Sequence, residues 1–343
     1  MHHILSFGLF EFFAIILLLA NVWTFALFAF DKFQAVRNRW RVSEKAMIFF
    51  ALCGGGVGAA LAMYAVRHKT RKVKFKIAAA VGVVVLLITA IHITHGLTLD
   101  RIVRFVEIEW RAENWPAEVN GYRIAFMADF HTIPDETMAD VVAGINARDV
   151  DLLLLGGDFS HRDHHYRGTV REISRAITTD GIFGVEGNHD CYIRVFALKR
   201  QYGITPLDND GVQIRDGFFI AGVHDLWNRN PCIETAIVGA NVDDFVLLIS
   251  HNPDVTMRQS TSGVDLILTA HTHGGHIAFF GLPFFLDIYG GITAYGSRFA
   301  RGFAYSADET PVFATAGVGM VSNLSGPRVF ARPEVVIFTM HSE

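Results

Sequence analysis

Side chains that could bind metal ions stand directly after short apolar runs in the sequence. Five such runs cover residues 123–128, 151–155, 181–185, 245–249 and 266–269. The polar residues that follow them are Asp129, His131, Asp158, Asn188, His251, His271 and His273. Two carboxylates, one amide and four imidazoles form a mixed oxygen and nitrogen ligand set that suits Mn²⁺, Zn²⁺ or Fe. Two such ions about 4 Å apart activate water and stabilise in-line displacement at phosphorus.

The apolar runs predict where these residues lie in the fold. Near-continuous apolar runs of this length suit strands in a sheet that is buried on both faces. Helical patterns separate several runs, after Pro134 and over residues 171–178 and 192–202. Ligands of such α/β sheets bind beyond the carboxyl ends of the strands, where the polar residues fall. Each motif alone is common by chance, but the five in this order predict a two-metal hydrolase.

Over residues 104–340 the sequence resembles the calcineurin-like metallophosphoesterase superfamily. Within it, the similarity is greatest to a membrane-associated bacterial branch with enzymes like UDP-2,3-diacylglucosamine pyrophosphohydrolase. The residues that support this branch are 250–254, 271–275 and the tail segments 301–302, 317–319 and 332–334. The resemblance implies an α/β fold, a four-layer αββα sandwich of two mixed sheets flanked by helices.

The resemblance also implies a role for each residue. One metal ion would be held by Asp129, His131, Asp158 and His273, and the other by Asp158, Asn188, His251 and His271. Asp158 would therefore bridge the two ions. His189 would stabilise or protonate the leaving oxygen, and Asp190 would orient His189. Phe130 and Ala270 replace the Leu and Gly that are usual in the family, and neither change removes a ligand.

The first 98 residues have a different composition from the rest of the chain. They carry eleven Lys or Arg and three acidic residues, whereas the other 245 carry 19 basic and 31 acidic residues. Apolar segments at 4–30, 46–66 and 77–94 have about the length that a membrane-spanning helix needs. The sequence therefore predicts an all-α membrane domain of two or three hydrophobic segments over 1–98. The metallophosphoesterase domain is expected over 99–343.

Two short basic loops leave the path of the middle segment open. Residues 31–45 contain five Lys or Arg and residues 67–76 contain six, and short basic loops stay on the cytoplasmic side. A full span over 46–66 would place one loop on the wrong side. The glycines 54–58 suit either close packing of a full span or two half-helices that fold back. We favour the fold-back, which places the catalytic domain outside the cytoplasm; a full span would place it inside.

The amino-terminal part also resembles a small, uncharacterised bacterial membrane domain. The matching residues are Asp31-Lys32, 40–45, 54–58 and 67–70. This resemblance implies no activity. The hydrophobic segments predict a multi-pass protein of the bacterial inner membrane. The three cysteines form neither a metal-ligand spacing nor a disulfide framework.

These features together predict a membrane-anchored phosphoesterase that cleaves a phosphodiester or pyrophosphate bond. The expected partners are the lipid bilayer and a lipid-linked substrate, and the apolar loop 279–289 is either an entry surface for acyl chains or core. The acidic catalytic part disfavours nucleic acids. The alternatives are a UDP-2,3-diacylglucosamine pyrophosphohydrolase of lipid A synthesis and a non-catalytic membrane interaction or transport-associated module. His161, His164 and His165 either extend the metal site or, as we favour, lie in a solvated loop. His224-Asp225 either supports a metal ligand or, as we favour, forms a turn, and His276 is expected at the mouth of the site without binding metal.

Overall fold

The computed structural model describes residues 9–99, 102–159, 166–190, 201–283, 285–319 and 328–343. The chain divides into two compact units, residues 1–98 and 99–343. Three predictions fall partly or wholly outside the described residues: the start of the first apolar segment, the histidines 161, 164 and 165, and most of the helix over 192–202.

The described part of the first unit is helical. Its α-helices are α1 (Leu9–Val36), α2 (Glu44–Phe50), α3 (Gly56–Ala65) and α4 (Val73–Leu97), and a π-helical segment, Ala51–Gly55, joins α2 to α3. Among the residues that the structure describes, three segments are long and apolar enough to cross a membrane: Ala14–Val36, Glu44–Ala65 and Val73–Gly96. Large apolar side chains such as Leu18, Trp23 and Leu87 are exposed on them, as lipid-facing residues are. The predicted apolar helices before the catalytic domain are thus confirmed.

The middle segment reverses direction at its glycines. Gly54 has φ 90°, a left-handed conformation that glycine adopts without steric cost, and Cys53 before it is also non-helical. Glu44, which begins α2, forms an ion pair of 2.6 Å with Lys69, which follows α3. A straight helix of 22 residues would hold its ends about 33 Å apart. Because the two ends meet instead, α2 and α3 form a hairpin.

Backbone contacts hold this hairpin against α1 and α4. The N–H of Gly58 donates to Asn21 Oδ1 (2.9 Å), and Asn21 Nδ2 donates to the carbonyl of Gly54 (2.8 Å). A Cβ atom added to Gly56 would lie 2.3 Å from the backbone nitrogen of Val83. The glycines therefore serve both purposes considered from the sequence, a reversal at Gly54 and close packing at Gly56 and Gly58. Asn21 also satisfies polar groups at the break, which lipid would leave unpaired.

Both basic loops meet at one buried carboxylate. Asp31, near the end of α1, accepts two hydrogen bonds from the Arg41 guanidinium (2.7 and 2.6 Å) and lies 2.6 Å from His68 Nε2. Glu44 forms ion pairs with Lys69, Lys72 and Lys74 at 2.5 to 2.6 Å. These contacts join residues from both loops, so both loops lie at the same end of the helical unit.

Twelve strands form two six-stranded sheets in the described part of the second unit. They are β1 (Arg104–Ala112), β2 (Tyr122–Met127), β3 (Leu152–Leu155), β4 (Ile182–Gly184), β5 (Ile204–Pro206), β6 (Asp210–Arg215), β7 (Phe218–Gly222), β8 (Phe245–Ser250), β9 (Leu266–Thr269), β10 (Gly302–Tyr305), β11 (Pro311–Ala314) and β12 (Glu334–Ser342). The first sheet has the order β1-β12-β2-β3-β4-β5 and the second β10-β11-β9-β8-β7-β6. Each sheet contains parallel and antiparallel pairs, so both sheets are mixed.

Three apolar cores separate four layers. Phe126, Leu154 and Leu247 contribute to the core between the two sheets. The outer face of the first sheet packs against α5 (Asp135–Asn146) and α6 (Tyr166–Ile173), and that of the second sheet against α7 (Ile233–Ala236). A further short helix, α8, spans Phe285–Tyr289. The predicted four-layer αββα sandwich is confirmed.

One predicted helix is misplaced. Helix α6 ends at Ile173, whereas the sequence pattern predicts a helix over residues 171–178. Its buried residues Tyr166, Thr169, Val170 and Ile173 have the helical spacing of one apolar face, and that face lies earlier in the chain. The five predicted strands are found, and each end lies within one residue of its predicted position.

Candidate metal centre

The candidate ligands are carried by loops that follow neighbouring strands. Strands β2, β3 and β4 are adjacent in the first sheet, and β8 and β9 are adjacent in the second. Asp129 and Asp158 are buried after β2 and β3, and His251 and His271 are buried after β8 and β9. The parallel order of the strands within each sheet therefore brings residues distant in sequence to one edge.

Ligand atoms from both sheets lie close together. Three groups, Asp129/His131/His273, His131/Asp158/His189 and Asp129/Asp158/His251, have their ligand atoms within 4.8 Å of one another. Asp158 Oδ2 lies 3.5 Å from His131 Nε2 and 3.4 Å from His251 Nε2. Asp158 thus lies between residues assigned to different ions, which is the position that a bridging carboxylate requires.

Hydrogen bonds to carbonyl groups determine which nitrogen of two histidines faces the centre. His251 Nδ1 donates to the carbonyl of Gly156 (2.7 Å), so Nε2 faces Asp158 and lies 3.1 Å from Asn188 Oδ1. His271 Nε2 donates to the carbonyl of Ile292 (2.9 Å), which leaves Nδ1 as its metal-binding atom. The His271 ring belongs to none of the three closest groups, and its centroid is 5.1 Å from that of His251.

His189 and Asp190 differ in how they contact the centre. The backbone N–H of His189 donates to Asp158 Oδ1 (2.8 Å), and its ring packs edge-on against His131 at 5.1 Å. The buried Asp190 carboxylate accepts the backbone N–H groups of Asp158, Phe159 and Gly187 at 2.8 to 2.9 Å. Asp190 therefore shapes the turn that holds Asp158, and its role in orienting His189 stays a prediction.

The loops of the centre have a strained backbone. Five candidate ligands have a left-handed φ between 42° and 72°: Asp129, His131, Asp158, His271 and His273. This conformation costs about 1–2 kcal/mol for a residue with a side chain, and such strain clusters at functional sites. Space is also limited, because a Cβ atom added to Gly187 would lie 2.2 Å from Asp158 Oδ1.

Burial and neighbouring charges shift the pKa values of the buried groups. Burial and the Asp158 carboxylate raise the pKa of Asp129 to about 7. Burial would also raise the pKa of Asp158, but the imidazoles around it, His251 above all, hold it below its usual range. Burial and the charge of His251 lower the pKa of His271 to about 3, and burial and His131 lower that of His273.

The charges of the centre fit divalent cations. His271 and His273 are neutral at pH 7, and the neutral imidazole is the form that binds metals. Burial lowers the pKa of His251, but Asp158 and Asp129 outweigh it and raise the value to about 10. A cation at His251 Nε2 would take the place of that proton. Two buried carboxylates in one cluster also need opposite charge nearby.

The sequence predicted a turn at His224-Asp225 but not that Trp227 in this turn contacts the metal centre. The Trp227 ring lies 4.5 Å from the His271 ring, edge-on, and about half of Trp227 is exposed. Asp225 Oδ2 accepts the backbone N–H groups of Trp227 (2.9 Å) and Asn228 (3.0 Å), and Asn228 Nδ2 donates to the carbonyl of Asn188 (2.6 Å). A sequence signal for this turn exists, because His224-Asp225 follows the apolar strand β7 in the same way that the candidate metal ligands follow their strands.

A buried arginine also supports the centre. Arg328 is fully buried, and its guanidinium donates to the carbonyl of Gly319 (2.9 and 2.6 Å) and to that of Ala316. Its Nη2 atom lies 3.3 Å from His273 Nδ1. No sequence pattern distinguishes Arg328 from the other arginines, since its partners are carbonyl groups brought together only by the fold.

Comparison with known proteins agrees with this centre. The calcineurin-like phosphoesterase family matches residues 122–275, and a protein family of unknown function, DUF1294, matches residues 21–75. The uncharacterized metallophosphoesterase YkuE of Bacillus subtilis is 28% identical over 242 residues, 66% of this chain and 82% of its own length. The phosphodiesterase YaeI of Escherichia coli is 29% identical over 236 residues, 64% of this chain and 82% of its own length.

A further relative is itself described as a membrane protein. The transmembrane protein with metallophosphoesterase domain of Danio rerio is 25% identical over 237 residues, 60% of this chain. The chain spans about half the length of that relative, 54%.

The family match and these relatives support a metal-dependent phosphoesterase domain, a domain of the hydrolase class. The chain carries a calcineurin-like metallophosphoesterase domain, preceded by membrane-type helices that include the DUF1294 match. The predicted family and enzyme class are confirmed. The closer similarity to UDP-2,3-diacylglucosamine pyrophosphohydrolase stays a prediction. The structure groups Asp129, His131, Asp158, His251 and His273, and it places Asn188 and His271 next to His251; their role as metal ligands stays a prediction.

Proposed function

We propose that the protein is a membrane-anchored dimetal enzyme that hydrolyses a phosphodiester or pyrophosphate bond in a lipid-linked substrate. The observation that carries this proposal is the buried Asp158 carboxylate between imidazoles of both sheets, 3.5 Å from His131 and 3.4 Å from His251. The ions would be held by Asp129, His131, Asp158, Asn188, His251, His271 and His273. Bound Mn²⁺, or Zn²⁺ or Fe, would supply an activated water and positive charge at phosphorus.

The protein's own groups orient the reaction. His189 is only partly buried, so its ring is accessible to a substrate, while its backbone N–H is fixed on Asp158. We assign to His189 the stabilisation or protonation of the leaving oxygen. Asp190 fixes the positions of His189 and Asp158 relative to each other, because its carboxylate accepts the backbone N–H groups of Asp158 and Gly187. Trp227 would contact the organic group attached to phosphorus.

The lipid part of the proposal is supported by an apolar surface next to the centre. Ile277, Phe279 and Leu282 follow the buried His276 and are exposed, whereas Ala278 and Leu286 in the same loop are buried. The loop therefore has an exposed apolar face as well as residues that pack in the core. Phe284, which belongs to this loop, lies outside the described residues. An exposed apolar patch beside a catalytic centre suits a substrate with an apolar part.

Two chromogenic diesters test this proposal. The purified chain in detergent with Mn²⁺ is given p-nitrophenyl phosphodiesters that differ only in the second alcohol, methyl or dodecyl. We expect kcat/KM to be at least about 10-fold higher for the dodecyl ester, since burying two methylenes already contributes that much. A chelator should abolish turnover of both and Mn²⁺ restore it. Equal kcat/KM values would refute the lipid-linked substrate, and absence of metal-dependent turnover would refute the phosphoesterase.

We also propose that the catalytic unit faces away from the cytoplasm. Both basic loops lie at one end of the helical unit because the α2–α3 hairpin returns to the side from which it enters. Basic loops of this length stay in the cytoplasm. Helix α4 begins at this end and crosses to the other, where the chain continues into β1.

Paired fusions test this topology. Alkaline phosphatase fused to the carboxyl terminus should be active, and a fluorescent protein that folds only in the cytosol should be dark in the same position. Fusions after residue 70, in the second basic loop, should show the reverse and serve as the control. An inactive phosphatase fusion and a bright fluorescent fusion at the carboxyl terminus would show that the catalytic unit faces the cytoplasm and would refute the proposed topology. That result would make the UDP-linked lipid the leading substrate, since nucleotide-linked precursors are met in the cytoplasm.

A further inference from the structure

A tight hairpin projects from the loop that follows the metal ligands. Phe279 and Leu282 exchange two backbone hydrogen bonds, each of 3.0 Å, around the two central residues Phe280 and Gly281. Both central residues have a positive φ, 50° and 85°. This is a two-residue turn of type I′, and we refer to residues 277–282 as the tip hairpin.

The residue at the end of the tip hairpin is unusual for its position. Type I′ turns favour Asn, Asp or Gly at the first central position, because a bulky side chain is strained at positive φ. Phe280 occupies this position and is 49% exposed, and Leu282 beside it is 65% exposed. Phe280 is thus a large apolar residue that is half exposed at a position where its backbone is strained. Such strain at a surface indicates a binding function.

The tip hairpin is held in place by the rest of the domain. Arg301 donates from Nη2 to the carbonyl of Gly281 and from Nη1 to that of Phe330, both at 3.3 Å. The ring of Phe280 packs against that of Phe330 with centroids 5.6 Å apart. The apolar side chains are therefore presented on a fixed frame.

The tip hairpin is coupled directly to the metal centre. Ile277 follows His276, whose ring centroid lies 5.8 Å from that of the candidate ligand His273. At the other end of the loop, Pro283 packs against Gly275, where an added Cβ atom would lie 2.3 Å from the Cβ of Pro283. A surface that binds the tip hairpin is thus brought next to the place where the substrate reacts.

The short connection between the helical unit and the catalytic domain indicates which surface the tip hairpin binds. Only residues 98–103 separate α4 from β1, and six residues extend at most about 20 Å. The start of β1 therefore lies within about 20 Å of the end of α4, a helix apolar enough to cross a membrane. Exposed aromatic and aliphatic side chains such as those of Phe280 and Leu282 are the kind that enter the membrane interface, and a nearby arginine such as Arg301 suits the headgroup level.

We infer that the tip hairpin inserts Phe280 and its apolar neighbours into the membrane interface, so that the metal centre works at the level of the lipid headgroups. This inference deepens the proposed function, on which it rests for the membrane anchor and the lipid-linked substrate. It differs from an acyl-chain subsite, because the partner is the bulk bilayer and contact does not require a substrate.

A fluorescent reporter at the tip tests the inference. In the full chain with Cys53, Cys191 and Cys232 replaced by Ser, Phe280→Cys is labelled with a nitrobenzoxadiazole group and reconstituted into phosphatidylcholine nanodiscs. We expect blue-shifted emission, quenching by shallow doxyl-labelled lipid and protection from iodide. The control is Val242→Cys, because Val242 is 96% exposed and precedes β8, at the strand end opposite the metal centre. Emission at position 280 equal to that at 242 would overturn the inference.

A second variant tests the strain. Phe280→Asn creates the favoured Asn-Gly turn, so the thermal midpoint in detergent should rise by about 2–4 °C. A lower midpoint would show that Phe280 stabilises the fold and would overturn the argument from strain.

Turnover of the methyl diester by the unlabelled chain without its three cysteines separates the membrane insertion of the tip hairpin from the proposed phosphoesterase function. Normal metal-dependent turnover with a water-exposed reporter refutes the membrane tip alone, and no turnover refutes the proposed function.

Discussion

Asp158→Asn is expected to remove both metal ions and to lower turnover by at least about 10³-fold, the scale of losing a central electrostatic element. The Asp158 carboxylate lies within 3.5 Å of imidazoles from both predicted ion sites. An amide has one neutral oxygen and cannot balance the charge of two cations. Because Asp158 is 1% exposed, water cannot easily replace the lost ligand. The measurement is elemental analysis of metal per chain together with turnover of the methyl diester.

His189→Ala is the matched comparison for this prediction. It should keep both ions and still lose turnover by about 10² to 10⁴-fold, the usual contribution of a proton donor. The comparison is informative because the His189 ring reaches within 4.8 Å of ligand atoms of His131 and Asp158. Loss of one ion in His189→Ala would make His189 a ligand. Two ions and normal turnover in Asp158→Asn would show that the site assignment is wrong.

The location of the candidate centre could be predicted because its determinants are local. An apolar run followed by a polar turn is visible in sequence, and the carboxyl edge of a parallel sheet is where such turns gather. Asp129, Asp158 and His251 therefore meet as expected. The contacts of Asp190 and Arg328 could not be predicted in the same way. Both bind backbone groups of distant segments, and backbone groups carry no sequence signal.

The conformation of the loops was equally hidden from the sequence. The left-handed backbone at Asp129 and His271 is imposed by the surrounding fold, since neither residue type requires it. The position of strand β12 in the sheet could not be predicted from the sequence either. Its apolar pattern is plain, but its insertion between β1 and β2, parallel to one and antiparallel to the other, depends on pairing partners more than 200 residues away.

Asp31→Ala should destabilise the helical unit by about 3–5 kcal/mol, the effect of leaving a buried ion pair without one partner. Asp31 is fully buried and accepts hydrogen bonds from Arg41 and from the backbone N–H of Val42, with His68 also in contact. These contacts join α1 to both basic loops, so their loss should free the ends of the α2–α3 hairpin. The measurement is the loss of helical ellipticity on heating the full chain in detergent.

Glu44→Gln is the control for this prediction. Glu44 also binds residues after α3, but its side chain is 28% exposed, and partly exposed ion pairs contribute about 1 kcal/mol or less. The double variant Asp31→Ala/Arg41→Ala should recover part of the lost stability, since it also removes one of the cations left unpaired. If Asp31→Ala unfolds no earlier than Glu44→Gln, the buried cluster does not hold the loops together. The two basic loops would then not be fixed on one side of the membrane by the Asp31 cluster.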